Sequence, residues 1–347
     1  MSPPTPAAAI PIDAASAIIA TVATTTTTAP SHATATTTAT TATTASTTGT
    51  AAEVDAHPAR STSTVVLMAL LAVYLVWGST YLAMRIAVET LPPMLMGAAR
   101  FTIAGGILLA LGRRSVGRWP TAREWRAAAP VGALLFVAGN GFVAFAETSL
   151  SSGVTAVVVA TMPLWMALFG TLLGERPRAR EWIGIMLGFG GVVLLMSGGE
   201  LSGDLVPALV LALAPLGWAL GSTIARRSTL APGLLSAGTQ QLAGGLAMLA
   251  VGLVRGERWP ATMTSDAIWS LAYLIVFGSL IAFTAYAWLL RNTRPAVATS
   301  YAFVNPPLAV LLGALLAGET IATMTWIATP LIVAAVILVV GRPRPRP

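Results

Sequence analysis

The chain has 347 residues, 55% hydrophobic and only 10% charged, with a formal net charge of +7 and a mean hydropathy of +0.77. Charged residues make up about a quarter of an ordinary soluble domain, so a soluble fold is excluded and a polytopic membrane protein is indicated. There is no Cys and no Lys, and the two histidines, His32 and His57, lie outside the apolar part, which excludes disulfides, a thiolate nucleophile, a Walker lysine, a Schiff-base cofactor and an intramembrane histidine metal site.

Residues 1–62 come first in the chain and are mostly Ala, Thr, Ser and Pro. Low complexity without a large apolar face predicts a disordered tail. Its "AIIATVA" is too short for a span, has no basic residue before it and sits beside Asp13, so it makes a poor signal peptide. The tail is either a dispensable extension (or a misassigned start) or a binding segment. From Val65 onward the apolar runs predict ten membrane helices, at about 65–86, 91–111, 127–147, 153–173, 181–198, 205–225, 233–254, 267–290, 296–317 and 322–341. The connections leave no room for a soluble domain. An Arg/Pro tail, 342–347, closes the chain.

The first predicted helix carries Trp77, Ser79 and Thr80, and the sixth carries Trp218, Ser222 and Thr223 at equivalent places. The hydroxyls suit close helix contact, and the indoles suit either packing or the wall of an amphipathic cavity. The second helix carries Arg100, the only ionisable residue deep inside any span. It lies roughly 14 Å below the outer end at 1.5 Å per residue. Facing lipid there would cost several kcal/mol, so it should face the bundle. Two roles are open: a guanidinium that binds an anionic cargo group, or a clamp on backbone carbonyls freed by a helix break. Its counterpart in the seventh helix is the neutral Gln241.

On the third helix, Asn140 and Glu147 share a face, Asn140 at the depth of Arg100 and Glu147 near the outer mouth. Glu147 either binds a proton or a cationic group, or caps the helix end in water. The fourth helix carries Pro163 and Trp165, and the ninth carries Tyr301, Asn305 and the pair Pro306-Pro307. The prolines fall at matching midspan positions, as gating hinges or as static bends. Trp165, Tyr286 in the eighth helix, Tyr301 and Asn305 are candidate cavity residues by depth alone. Glu175 and Glu319 end spans and read as caps or interfacial pairs. Gly184 and Gly188 form GxxxG in the fifth helix, for tight packing or a homodimer through the fifth and tenth helices.

Arginine placement predicts both termini inside. The loops then facing the cytoplasm hold Arg113, Arg114, Arg118, Arg123, Arg126, Arg176, Arg178, Arg180, Arg226, Arg227, Arg291 and Arg294, against Arg85, Arg255 and Arg258 outside. The outer loop 199–204 carries Glu200 and Asp204. This bias accounts for the pI near 10.9 without a nucleic-acid partner.

The two halves also resemble each other. "WGST" (77–80) answers "LGST" (220–223), "GRWPT" (117–121) answers "ERWPA" (257–261), and "TMPLWMALFGTLLGE" (161–175) answers "VNPPLAVLLGALLAGE" (304–319). Five helices per repeat is an odd number, so the second half, 200–341, would enter the membrane inverted relative to the first, 63–199. Inverted repeats mark many secondary transporters, with the cargo site near the midplane between the repeats.

The stretch "VYLVWGSTYLAMRIAVETLPPMLMGAARF", followed by "SGVTAVVVATMPLWMALFGTLLGE" and answered by "AVATSYAFVNPPLAVLLGALLAGE", resembles the EamA domain of the drug/metabolite transporter superfamily. "NGFVAFAETSLSSGVTAVVVATMPLW" is most similar to its YedA-like branch. The resemblance covers about residues 65–341. It implies an all-α bundle of ten helices in the inner membrane, with helices 1–4 and 6–9 around a central cavity and helices 5 and 10 behind it. It also implies export or exchange of amino acids, other small metabolites or drugs. The expected function is therefore an alternating-access exporter of a small amphipathic metabolite, with no enzyme activity and no cofactor. The rivals are a proton-coupled exporter of cationic drugs and a non-transporting membrane scaffold.

Overall fold

The computed structural model describes residues 59–150, 152–175, 177–196, 205–317 and 323–340. The predicted tail up to residue 58, His32, His57, Arg176, Glu200, Asp204, Glu319 and the last arginines lie outside these. All regular structure among the described residues is helical. In chain order the elements are α1 Ala59–Val88, α2 Pro93–Val116, α3 Ala122–Ala146, α4 Ser152–Val159, α5 Met162–Leu172, α6 Ala179–Met196, α7 Leu205–Arg227, α8 Gly233–Val254, α9 Ser265–Asn292, α10 Pro295–Ala298, α11 Tyr301–Ala317 and α12 Thr323–Val340. Residues 59–62, expected in the tail, are the first turn of α1.

Seven helices among the described residues are long and apolar enough to cross a membrane: Thr64–Val88, Pro93–Val116, Ala122–Ala146, Leu205–Arg227, Gly233–Val254, Ser265–Asn292 and Pro295–Leu316. The fourth predicted span is broken into α4 and α5. Pro163 sits in the first turn of α5, where its missing N–H leaves no carbonyl unmatched. It is therefore not a midspan kink. Pro306 and Pro307 lie inside α11, which runs on through them. The two sets of proline, expected to match, differ in this way.

Local chemistry sets the helix ends. Thr121 and Glu124 form a capping box at the start of α3, and Arg118 clamps the same carboxylate at 2.7 and 2.8 Å. α2 opens on Pro92 and Pro93, which offer no side-chain cap; Glu257, from the linker after α8, accepts from the N–H groups of Met94 and Leu95 at 3.0 Å instead. Gly117, at φ 77°, ends α2.

The centre of the fold is the crossing of α2 and α8. A Cβ on Gly105 would lie 2.5 Å from the Leu242 nitrogen, one on Gly112 2.6 Å from that of Leu235, and one on Gly245 2.7 Å from that of Thr102. Residue numbers rise along one helix as they fall along the other, so α2 and α8 are antiparallel, backbone against backbone. These are the second helices of the two halves, which therefore run in opposite directions here. α6 and α12 pack along each other. Gly188 faces the ring of Phe303 on α11, so this glycine of the GxxxG pair makes its close contact within the chain.

The third helix of each half contains a nine-residue π-helical segment, Ala133–Gly141 in α3 and Leu274–Ala282 in α9. Such widened turns are rare and concentrate at functional sites. Here they bring Phe136, Gly139, Asn140 and Gly278 to one cavity.

Candidate functional site

A cavity lies between α1, α2, α3, α4, α7, α9 and α11. Trp77, Tyr81, Phe101, Phe136, Trp218, Phe283 and Tyr301 supply most of its wall, with Thr80, Met84, Val143, Val159 and Ala214. Arg100 is the one charged residue in its lining, beside Asn140 and Asn305.

Arg100 is 4% exposed. Its Nε donates to Ser279 Oγ at 2.8 Å, its Nη1 points at Met84 Sδ at 3.7 Å, and its guanidinium lies 4.7 Å from the Phe101 ring centroid. A Cβ at Gly278 would fall 2.7 Å from Nη2, so a side chain there would push the fork aside. Among the described residues Arg100 holds no backbone carbonyl, which speaks against the carbonyl-clamp reading. Gln241, its counterpart in the other half, donates from Nε2 to the carbonyl of the same Ser279 at 3.0 Å. The two equivalent residues thus converge on one serine of the π segment, and Nη2 is left without a hydrogen-bond partner among the described residues.

Asn305 is 1% exposed, and neither its amide nitrogen nor its amide oxygen has a partner of good hydrogen-bond geometry among the described residues, although the Tyr81 hydroxyl is close by. Asn140 lines the same cavity without a bond to Arg100. Unpaired buried amides are costly and rare, and a polar ligand group would satisfy them.

The inner wall is an aromatic cluster. Trp77 meets Trp218 edge-on at 5.4 Å between centroids and Tyr301 at 4.7 Å. Tyr286 lies 5.0 Å from Trp77 and 5.7 Å from Tyr301. Its hydroxyl accepts from Trp218 Nε1 at 3.2 Å and shares a 2.6 Å hydrogen bond with Ser222. The two halves cross here symmetrically. Trp77 Nε1 donates to the Gly278 carbonyl at 3.1 Å, and the Trp218 ring covers Gly139, where a Cβ would be 2.5 Å from Cε3.

A second, larger chamber, of about 660 Å³, lies two turns further along α7, where Arg226 follows Trp218 and Ser222. Pro163, Glu175, Glu181, Arg226, Arg291 and Arg294 line it. Arg294 pairs with Glu181 at 2.6 Å, and Arg227 with Glu175 at 3.5 Å. Arg226 donates to the carbonyls of Leu290 and Thr293 at the end of α9. In the first half Arg85, like Arg226 eight residues after the equivalent tryptophan, donates to the Glu147 carbonyl at the end of α3.

Several expected site residues lie elsewhere. Ser79 bonds Tyr273 at 2.6 Å and faces away from the cavity, and Trp165 packs on Phe169. Gln241 and Tyr286 stand just behind the wall, and Pro163 belongs to the second chamber. Pro306 and Pro307 line neither. Glu147, expected either to bind a proton or a cationic group or to cap the helix end in water, is 0% exposed, because α1, α2 and α7 pack around the end of α3. Ser279, Gly278, Tyr81 and Phe136 do not stand out in the sequence. The pairing of "LFVAGNG" (135–141) with "LIVFGSL" (274–280), which sets Gly139 against Gly278 and Asn140 against Ser279, carries the signal for two of them.

The model of the EamA-like transporter family matches residues 63–197 and again 205–341. The chain is 43% identical over 272 residues to the uncharacterized inner membrane transporter YedA of Escherichia coli K12, covering 78% of this chain and 89% of that one. It is 28% identical over 268 residues to the protein PecM of Dickeya dadantii, covering 76% and 88%. It is 24% identical to the uncharacterized transporter sll0355 of Synechocystis, covering 78% and 88%. A solved crystal structure superposes with a TM-score of 0.64 at 23% identity, over 79% of this chain and 96% of that chain, a likeness of fold.

Proposed function

This chain belongs to the EamA-like transporter family, and on that premise we propose that it is a secondary transporter that exports small amphipathic metabolites, such as amino acids, by alternating access. One observation carries the cargo class. The cavity is walled by aromatic rings, and its sole charge is a guanidinium with a spare Nη2 beside an unpartnered amide. Such a site offers a charge-assisted hydrogen bond from the guanidinium and further bonds from the amide to a carboxylate, and an apolar bed to the rest of the molecule. A lone cation disfavours a cationic drug. A scaffold has no use for a cavity with unpaired polar groups.

The proposed frame is a multi-pass bundle of the inner membrane, ten helices in two inverted repeats, 63–199 and 200–341. The antiparallel crossing of α2 and α8, and the paired π segments, support that reading. Trp119, Trp259 and Trp269, exposed at helix ends, suit the two membrane interfaces. The arginine bias supports both termini in the cytoplasm. A C-terminal reporter is expected to be active only on the cytoplasmic side. Lipid covers outward apolar faces such as Ile183, Met186 and Ile337, and a homodimer through α6 and α12 would use the same faces.

The cargo class is tested by thermal unfolding of the purified protein against matched small molecules. An aromatic or aliphatic carboxylate or amino acid at about 100 times its Kd should stabilise by about 2.7 kcal/mol and raise Tm. The corresponding simple amines should not. Stabilisation by amines alone would reverse the assignment in favour of the cationic-drug reading.

A further inference from the structure

Glu147 closes α3, and no part of it is exposed. Both carboxylate oxygens are buried without a hydrogen-bond partner among the described residues. An ionised carboxylate held in this way is costly, and a bound proton removes the cost. The residue does not line the cavity; Val143, one turn earlier on the same helix, does. A cargo molecule is therefore kept from the carboxylate, whereas a proton is small enough to reach it.

The surroundings connect it to Arg100. The cations that act on Glu147 are Arg85 of α1 and Arg100 of α2, and the Tyr81 hydroxyl of α1 shares the same field. Neither arginine is ion-paired with it. Arg85 is bonded to the Glu147 carbonyl and Arg100 to Ser279. The cluster at the end of α3 includes Ala156 of α4, Leu211 and Ala214 of α7 and Ala309 of α11, and α4 and α11 carry no charged side chain among the described residues. The linker after α8 holds Arg255 over the Phe145 ring at 4.7 Å, with its charge answered by Glu257 at 3.5 Å.

We propose that Glu147 is a proton-binding site coupled to the cargo through Arg100, so that an anionic cargo and a proton are carried together. The inference rests on the reading of Arg100 as the cargo anchor. When a carboxylate binds Arg100, it cancels part of the positive field that favours ionised Glu147, and the buried, unpartnered carboxylate takes up a proton. The step is COO⁻ plus H⁺ giving COOH on Glu147. No bond in the cargo changes, and a monovalent anion then crosses with no net charge.

Infrared difference spectra of the purified full-length protein, followed from alkaline to acid buffer, test this. A protonated-carboxyl band should titrate in wild type and be missing from Glu147→Gln. Its midpoint should rise by about one pH unit or more in Arg100→Gln, as expected when a cation near a carboxylate is lost. Arg85→Gln removes the other cation, should move the midpoint the same way, and serves if the first variant fails to fold. Added 3-phenylpropionate should raise the wild-type midpoint as well. An unchanged band in Glu147→Gln, or a midpoint that ignores both arginines, overturns the proposal. A shift with Arg100→Gln but none with 3-phenylpropionate keeps the proton site and overturns the carboxylate reading on which the coupling rests.

Discussion

Arg100→Gln is expected to weaken binding and transport of a carboxylate cargo by roughly 10- to 100-fold while leaving the protein folded. That range corresponds to about 1.5–3 kcal/mol for a hydrogen bond to a charged group. The structure makes the variant informative because, among the described residues, Arg100 bonds the Ser279 hydroxyl and the Met84 sulfur but no backbone carbonyl, and its Nη2 is unpaired. Glutamine fits the space and keeps a donor for Ser279. Arg100→Lys should recover part of the activity, since it keeps the charge but loses the two-pronged geometry. Ligand affinity and Tm, measured on the same preparations, decide the matter. Normal affinity with a collapsed Tm would mean that the guanidinium serves the fold.

The larger effect on folding is expected at Gly105. Any Cβ there would sit 2.5 Å from the Leu242 nitrogen, in the backbone of α8 and not in a side chain that can swing away. Gly105→Val must therefore push α2 and α8 apart along a contact that also includes Gly112, Gly238 and Gly245. Overpacking costs typically about 1–3 kcal/mol in a core that can yield, and this crossing has little freedom to do so. Little folded, monodisperse protein should accumulate. Gly106, one residue on, is exposed, and a Cβ added to it would meet nothing within 4 Å. Gly106→Ala should behave as wild type or slightly better, by up to about 1 kcal/mol in a helix. Equal behaviour of the two variants in a size-exclusion thermal assay would contradict the antiparallel glycine contact.

Much of the frame is legible in the sequence. Apolar runs indicate the helical membrane class, and repeated "GST", "RWP" and "GE" motifs indicate two copies of one unit. Arg100 stands out because a charge at that depth has to be sheltered. What stays hidden has physical causes. Depth along a helix says nothing about azimuth, which turns by about 100° per residue. Thr80 therefore reaches the cavity while its neighbour Ser79 bonds Tyr273 on another face. The π segments depend on hydrogen-bond register and leave no mark in composition, so Ser279 and Gly278 read as ordinary small residues. Pro163 reads as a midspan kink because hydropathy does not reveal the break before it, between α4 and α5. Glu147 reads as solvated because charges at span ends usually are, and only tertiary packing of α1, α2 and α7 around it buries it.

The paired architecture also suggests how the cavity is closed off. The aromatic cluster of Trp77, Trp218, Tyr286 and Tyr301 stands between the Arg100 cavity and the ion-paired second chamber. Each half contributes one tryptophan across one glycine of the other half's π segment. Exchange of conformation between the two halves would open one chamber while closing the other, as alternating access requires.

Transport itself can be measured by counterflow. Purified wild-type protein in liposomes, loaded with an unlabelled metabolite extract, is offered the same metabolites in labelled form outside. A small set of amphipathic carboxylates or amino acids should accumulate transiently above the equilibrium level, and this accumulation should be lost in liposomes carrying Arg100→Gln. Folded wild-type protein that moves none of them in either direction would contradict a transport function.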